Sequence, residues 1–143
     1  MKRSLCGAVC LATMALGMVS ARAALFTAKS ATTGDWSSAG TWTNEAVPGD
    51  GADVAIASAG TMVILSSTTS NLNSFTNSGT LMFTNWNSTL TATNVTILAG
   101  GIVKLPAAFS NGVMSNNVSF VCTNFTLAAG AEINVNSAGY AGQ

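Results

Sequence analysis

Few side chains in this 143-residue chain can do chemistry, and those that are missing exclude most mechanisms. There is no histidine, so a Ser-His-Asp or Cys-His arrangement would lack the base near neutral pH that it requires. Zinc is left short of its usual ligand set by the same absence, together with a single cysteine beyond the amino-terminal segment. Paired carboxylates remain. Asp50 and Asp53 lie three residues apart in the glycine-rich run Gly49-Asp50-Gly51-Ala52-Asp53, and carboxylate pairs serve glycosidases and some lyases. They are also candidate oxygen donors to calcium, which wants about six to eight ligands, although Glu45 is the one other acid close in sequence. The plainer reading is that both aspartates accept hydrogen bonds from turn amides ahead of the strand Val54-Ala55-Ile56.

Three tryptophans, Trp36, Trp42 and Trp86, are candidate glycan contacts, because a flat exposed indole can lie against a sugar ring. Trp36 and Trp42 equally suit packing at the end of a stack. Thr89-Leu90-Thr91-Ala92-Thr93 alternates so that three threonines share one strand face, a surface able to order water. Cys122 stands in the alternating run Ser119-Phe120-Val121-Cys122-Thr123 and reads as a buried structural thiol. Sequons at Asn87, Asn94, Asn117 and Asn124 are expected by chance in a chain so rich in Asn, Ser and Thr. No catalytic set and no cofactor follow from these residues, and the expectation is a non-enzyme.

The elements that must position them begin after a leader. Lys2 and Arg3 precede an apolar stretch from Leu5 to Val19, and Ala21-Arg22-Ala23 follows as a small-x-small cleavage signature. The stretch is shorter than the roughly 20 residues a membrane span needs and has no stop-transfer flank. A signal peptide over 1–23 is therefore expected, with a secreted or cell-surface product and no membrane span after cleavage. Neither Cys6 nor Cys10 stands where a lipid-modified cysteine would become the new amino terminus. Cleavage would leave 120 residues, enough for one domain. Their only basic residues are Lys29 and Lys104, against Asp35, Glu45, Asp50, Asp53 and Glu132. Nucleic acid is excluded as a partner on that balance, since phosphate binding needs clustered Lys and Arg. Cys122 alone permits no intrachain disulfide.

Thr (17), Ser (14) and Asn (13) dominate those 120 residues, interleaved with Val, Ile, Leu and Phe. That mixture favours strands and turns and interrupts any helical period. A small residue, a glycine, one variable residue and an apolar strand recur four times, at Gly60, Gly79, Gly100 and Gly130. Thr93-Asn94-Val95-Thr96-Ile97 also aligns on Thr123-Asn124-Phe125-Thr126-Leu127. Such units build a β-solenoid, in which each coil buries its apolar face by stacking on the next. Pro106 to Asn117 would then be a loop pushed out of one coil. The expected organisation is a signal peptide over 1–23, an aromatic-rich amino-terminal cap with first strands over 24–56, and coils over 57–143, incomplete at the carboxyl end.

Gly34-Asp35-Trp36-Ser37-Ser38-Ala39-Gly40-Thr41-Trp42, Val47-Pro48-Gly49-Asp50-Gly51-Ala52-Asp53-Val54-Ala55-Ile56 and Gly60-Thr61-Met62-Val63-Ile64-Leu65 carry a resemblance. Residues 34 to 65 resemble the opening of large secreted bacterial proteins of the right-handed parallel β-helix class. These include proteins with autotransporter-type β-strand repeats and, more loosely, G8-like domains. The resemblance implies an all-β, short right-handed parallel β-helix and a non-catalytic extracellular structural or interaction module, part of a larger protein. It leaves open a carbohydrate-binding module, or the amino-terminal part of a polysaccharide lyase or hydrolase whose active region lies beyond Gln143. The partners it implies are a polysaccharide, another cell-surface protein, or a second copy meeting the open solenoid end.

Overall fold

The computed structural model describes residues 23–110 and 114–141. The expected signal peptide, apart from Ala23, lies outside them. The described residues are all-β, with a single 3-10 turn over Ala39–Thr41. The strands are β1 (Leu25–Thr27), β2 (Thr33–Asp35), β3 (Asp53–Ile56), β4 (Met62–Leu65) and β5 (Leu72–Asn77). They continue with β6 (Thr80–Phe83), β7 (Leu90–Ile97), β8 (Ile102–Lys104), β9 (Phe120–Leu127) and β10 (Glu132–Asn134). Odd strands form one five-stranded sheet in the order β1-β3-β5-β7-β9, even strands a second in the order β10-β8-β6-β4-β2, and every pairing within them is parallel.

Alternation along each strand selects the inward face. In Asp53-Val54-Ala55-Ile56 and Met62-Val63-Ile64-Leu65 every second side chain is buried, as the period of two in a strand requires. Parallel register then stacks those side chains in rows. Phe26, Val54, Phe75, Val95 and Phe125 form one, and Ile56, Asn77, Ile97 and Leu127 another. From the even sheet come Val63, Leu81, Val103 and Ile133. Burying each such apolar side chain contributes about 1.5–3 kcal/mol.

Of the recurring glycines, Gly79 is out of register with the other three. Met62 faces Thr80, which faces Ile102, so β6 is displaced by one residue from the alignment that the glycines suggest. A slip of one residue reverses the faces of a strand, and only the observed register puts Leu81 and Phe83 inside. Corner length causes the slip. Four residues, Leu98 to Gly101, join β7 to β8, whereas Ser78 and Gly79 alone join β5 to β6. The longer corner is a turn closed by the Gly101 N–H on the Leu98 carbonyl at 2.8 Å, with Gly100 at φ +79°, the left-handed position a type II turn reserves for glycine. A Cβ on Gly101 would fall 2.3 Å from the Asn77 carbonyl.

Asn77 compensates for the short corner. Fully buried in a row otherwise made of Ile and Leu, it accepts from the Gly79 N–H at 3.0 Å through Oδ1 and donates through Nδ2 to the Ile102 carbonyl at 3.0 Å. Pro106 to Asn117 is not simply extruded either. Asn116 is buried, and its Nδ2 donates to the carbonyls of Ala107 at 2.9 Å and Ala138 at 2.6 Å.

The two ends of the stack differ. Beyond β1, the Thr43 N–H donates to the Thr27 carbonyl and the Lys29 N–H to the Thr41 carbonyl, both at 2.9 Å, so an antiparallel segment covers the edge that β3 leaves free. Trp42, within that segment, and Trp36 are buried, with ring centroids 5.0 Å apart edge-to-face. At the other end β9 and β10 have no outer partner among the described residues. Phe125, Leu127 and Ile133 are 42%, 48% and 38% exposed, where Val95, Ile97 and Val103, one row earlier, are at most 1% exposed.

Replacing Asn77 with alanine is expected to lower the unfolding free energy by about 1–3 kcal/mol, the cost of leaving the Gly79 N–H and Ile102 carbonyl unsatisfied inside. Denaturant titration of both chains checks this, and an unchanged midpoint would refute the role given to Asn77.

Candidate functional site

The carboxylates of Asp50 and Asp53 are each engaged in joining rungs. Asp50 Oδ1 accepts from the Asn71 N–H at 2.9 Å, while the Gly51 N–H donates to the Asn71 carbonyl at 2.8 Å. Asp53 Oδ1 accepts from Asn73 Nδ2 at 2.7 Å and from the Ser74 hydroxyl. The third acid considered with them, Glu45, is ion-paired with Lys29 at 2.6 Å. Among the described residues no group of three or more acids, cysteines or histidines converges as a metal site. The donors differ from the local turn amides expected: Asp50 takes a backbone N–H one rung away, and Asp53 takes two side-chain donors of the neighbouring strand.

Trp36 and Trp42 stand at 4% and 0% exposure. Trp42 Nε1 donates to the Trp36 carbonyl at 2.9 Å, and the Trp36 ring lies 6.0 Å from Phe75. With both rings used inside, neither offers a face to a sugar, and the sequence expectation of glycan contact at these two positions is corrected. Trp86 differs, being 42% exposed in the loop between β6 and β7, where Asn117 Nδ2 donates to its carbonyl at 2.9 Å.

Thr89, Thr91 and Thr93 do not make one flat ladder. In β5 and β7 two consecutive outward residues, Asn73-Ser74 and Thr93-Asn94, interrupt the alternation, and Thr123-Asn124 of β9 stands beside the second couplet. The direct pairing is interrupted at the first residue of each couplet. Thr89 Oγ1 donates to Ser119 Oγ at 3.1 Å. Asn124 Nδ2 donates to Asn94 Oδ1 at 2.8 Å, continuing across the sheet a polar row that includes Asp53 and Ser74.

A groove of about 310 Å³ is lined by Asn71 and Leu72 from β5 and its lead-in, Thr91, Ala92 and Thr93 from β7, and Val121, Cys122 and Thr123 from β9. Leu72, Ala92 and Cys122 are in register across the three strands. Cys122 is partly buried against the core and free. Sequence reasoning named Thr91, Thr93 and Cys122 but not the groove. The doubled outward residues in the aligned segments around Thr93 and Thr123 were its one visible signal.

Compared with known proteins, residues 41–134 match the family model described as G8 domain. No curated protein and no solved structure matches the chain.

Trp42→Ala is expected to cost about 3–5 kcal/mol of stability, the range for emptying a core aromatic site, and Trp86→Ala to change it by no more than about 0.5 kcal/mol. Thermal melts of the two variants check the contrast, and equal effects would contradict the division between buried and exposed indoles.

Proposed function

The chain belongs to the G8 domain family, an extracellular family, and from that premise we propose that it is the non-catalytic opening section of a larger secreted β-helix protein. In this reading the two sheets are faces of a right-handed parallel β-helix, similar to those of bacterial surface proteins with autotransporter-type repeats. Each odd strand returns beside its predecessor after crossing the other sheet, and such parallel crossovers are right-handed in the great majority of folds. The segment around Trp36 and Trp42 is the cap that starts the stack, and the rungs from β3 onward are the template on which further rungs are laid.

The observation that carries this reading is the asymmetry of the ends. A sheet edge left open is a pairing template. The edge beyond β1 is closed by Thr41–Thr43, whereas β9 and β10 have no outer partner among the described residues and Phe125, Leu127 and Ile133 are exposed at core-row positions. Chemistry of its own is not assigned to the module, since it has no histidine and Asp50 and Asp53 are engaged in holding neighbouring rungs. Exposed Trp86 favours a second reading, a carbohydrate-contacting module. Loss of glycan-array signal on Trp86→Ala would support it.

Reading the coding frame past the codon for Gln143 tests the main proposal. Further segments of strand, glycine corner and strand would support it, and an immediate stop codon would refute the larger protein. A chain ending at Gln143 is expected to associate through its open edge in a concentration-dependent way. Leu127→Lys with Ile133→Lys should shift light scattering toward the monomer, and a wild-type chain that stays monomeric at every concentration would count against the open edge.

A further inference from the structure

We propose that the outward side of the even sheet is a self-complementary interface, through which two copies of this chain pack face to face about a twofold axis. The proposal goes beyond the role given to the module and uses a different surface from the open end of the stack. On β4, β6 and β8 the inward side chains are Val63, Leu65, Leu81, Phe83 and Val103. Met62, Ile64, Met82 and Ile102 therefore point away from the core, and all four are partly exposed. The outward side of the odd sheet differs, with Ser74 and Thr76 on β5 and Asn94 and Thr96 on β7. An apolar centre of Ile and Met is the composition of an interface core, where methionine is enriched and charge depleted.

Charge selects a second copy as the occupant. Parallel register puts Asp35, Ile64, Met82 and Lys104 in one outward column across β2, β4, β6 and β8. The acid and the cation thus stand at opposite ends of the apolar pair, about 14 Å apart at the usual strand spacing. Neither is used within the chain, since the one ion pair among the described residues joins Lys29 to Glu45. A twofold axis parallel to the strands and passing between β4 and β6 lays Asp35 of each copy over Lys104 of the other, and Ile64 over Met82. In the neighbouring column it lays Met62 over Thr80 and Thr33 over Ile102, while Glu132, one strand further, falls outside the overlap. An axis along the stack would instead set Asp35 over Thr33 and Lys104 over Ile102, with no opposite charges paired. A polyanion or a polycation would meet one attractive and one repulsive end. Surfaces that match themselves close as isologous pairs, and sheets packed face to face keep their strands within about 30° of each other. Strands of this number and length cover roughly 20 Å by 13 Å, less than permanent dimers bury, so the expected dissociation constant is micromolar.

The test is sedimentation velocity over a concentration series, on the chain as released by an expressing culture. It carries Leu127→Lys and Ile133→Lys, which suppress association through the open edge. A monomer–dimer equilibrium is expected. Ile64→Glu, at the centre, should abolish the dimer by placing an unpaired carboxylate against apolar side chains. Asp35→Lys alone and Lys104→Asp alone should each weaken it about tenfold by setting like charges opposite each other, whereas Asp35→Lys with Lys104→Asp should restore it to within about twofold. Thr96→Lys, on the outward side of the odd sheet, should change nothing, and the surface charge variants should melt as their parent does. A chain that stays monomeric throughout, or a dimer indifferent to Ile64→Glu, would overturn the proposal. So would a dimer that Ile64→Glu removes but the charge reversals leave alone, because the twofold arrangement requires both pairs. Binding to neutral phosphatidylcholine vesicles in place of dimerisation, lost in Ile64→Glu, would overturn it in favour of a lipid surface. None of these outcomes depends on the reading frame beyond Gln143, so this proposal and the larger-protein reading fail separately.

Discussion

In-register parallel stacking of inward side chains is the constraint on which the rest of the molecule depends. A strand such as Asp53-Val54-Ala55-Ile56 buries only two side chains, and strands this short are marginal alone. What stabilises it is the strand on either side, which places Phe26 and Phe75 against Val54 and Asn77 against Ile56, while backbone hydrogen bonds fix their heights. A core built in this way is a set of columns rather than one cluster with a centre. The corners must therefore return each strand to the same column, and any irregularity in a corner has to be absorbed within one rung.

Composition and alternation carry the fold class: Thr, Ser, Asn and the β-branched residues exclude long helices, and the glycine-led strands lie in the even sheet as β4, β6, β8 and β10. Register was not legible from the glycines. Gly79 occupies a two-residue corner and Gly100 a four-residue one, and a motif read by its glycine alone cannot tell them apart. Asn77 held the information, because an asparagine in a column of Ile and Leu is a side chain doing the work of missing backbone. Buried polar groups are satisfied in native proteins, and Asn116 obeys the same rule inside a segment whose composition suggested an extruded loop.

The candidate sites were legible in inverse proportion to how conspicuous they were. Two tryptophans six residues apart and two aspartates three apart draw the eye, yet Trp36 and Trp42 are buried against each other and Trp36 against Phe75, and the aspartates bond neighbouring rungs. Both sets lie where the stack begins, and starting a stack requires bulk over exposed columns and acceptors for unpaired amides. The groove is drawn from threonines and asparagines that no composition argument can single out in a chain containing 44 Thr, Ser and Asn residues after position 23. A doubled outward couplet is its signature, and it becomes informative only once the strands are in register.

Low charge follows from the same architecture. Identical positions in successive rungs face each other about 4.8 Å apart, so a charge that recurred down a column would meet its own sign at each step. Hydroxyls and amides avoid that conflict, since each donates and accepts and can pass a hydrogen bond along, as Asn124 does to Asn94. The one acid in that row, Asp53, is faced by Ser74 rather than by a second carboxylate. The acids after residue 23 are Asp35, Glu45, Asp50 and Asp53 before β4 and Glu132 in β10, and that sparseness along the columns is what such a fold tolerates. The surface left over is low in charge and rich in hydroxyls and amides.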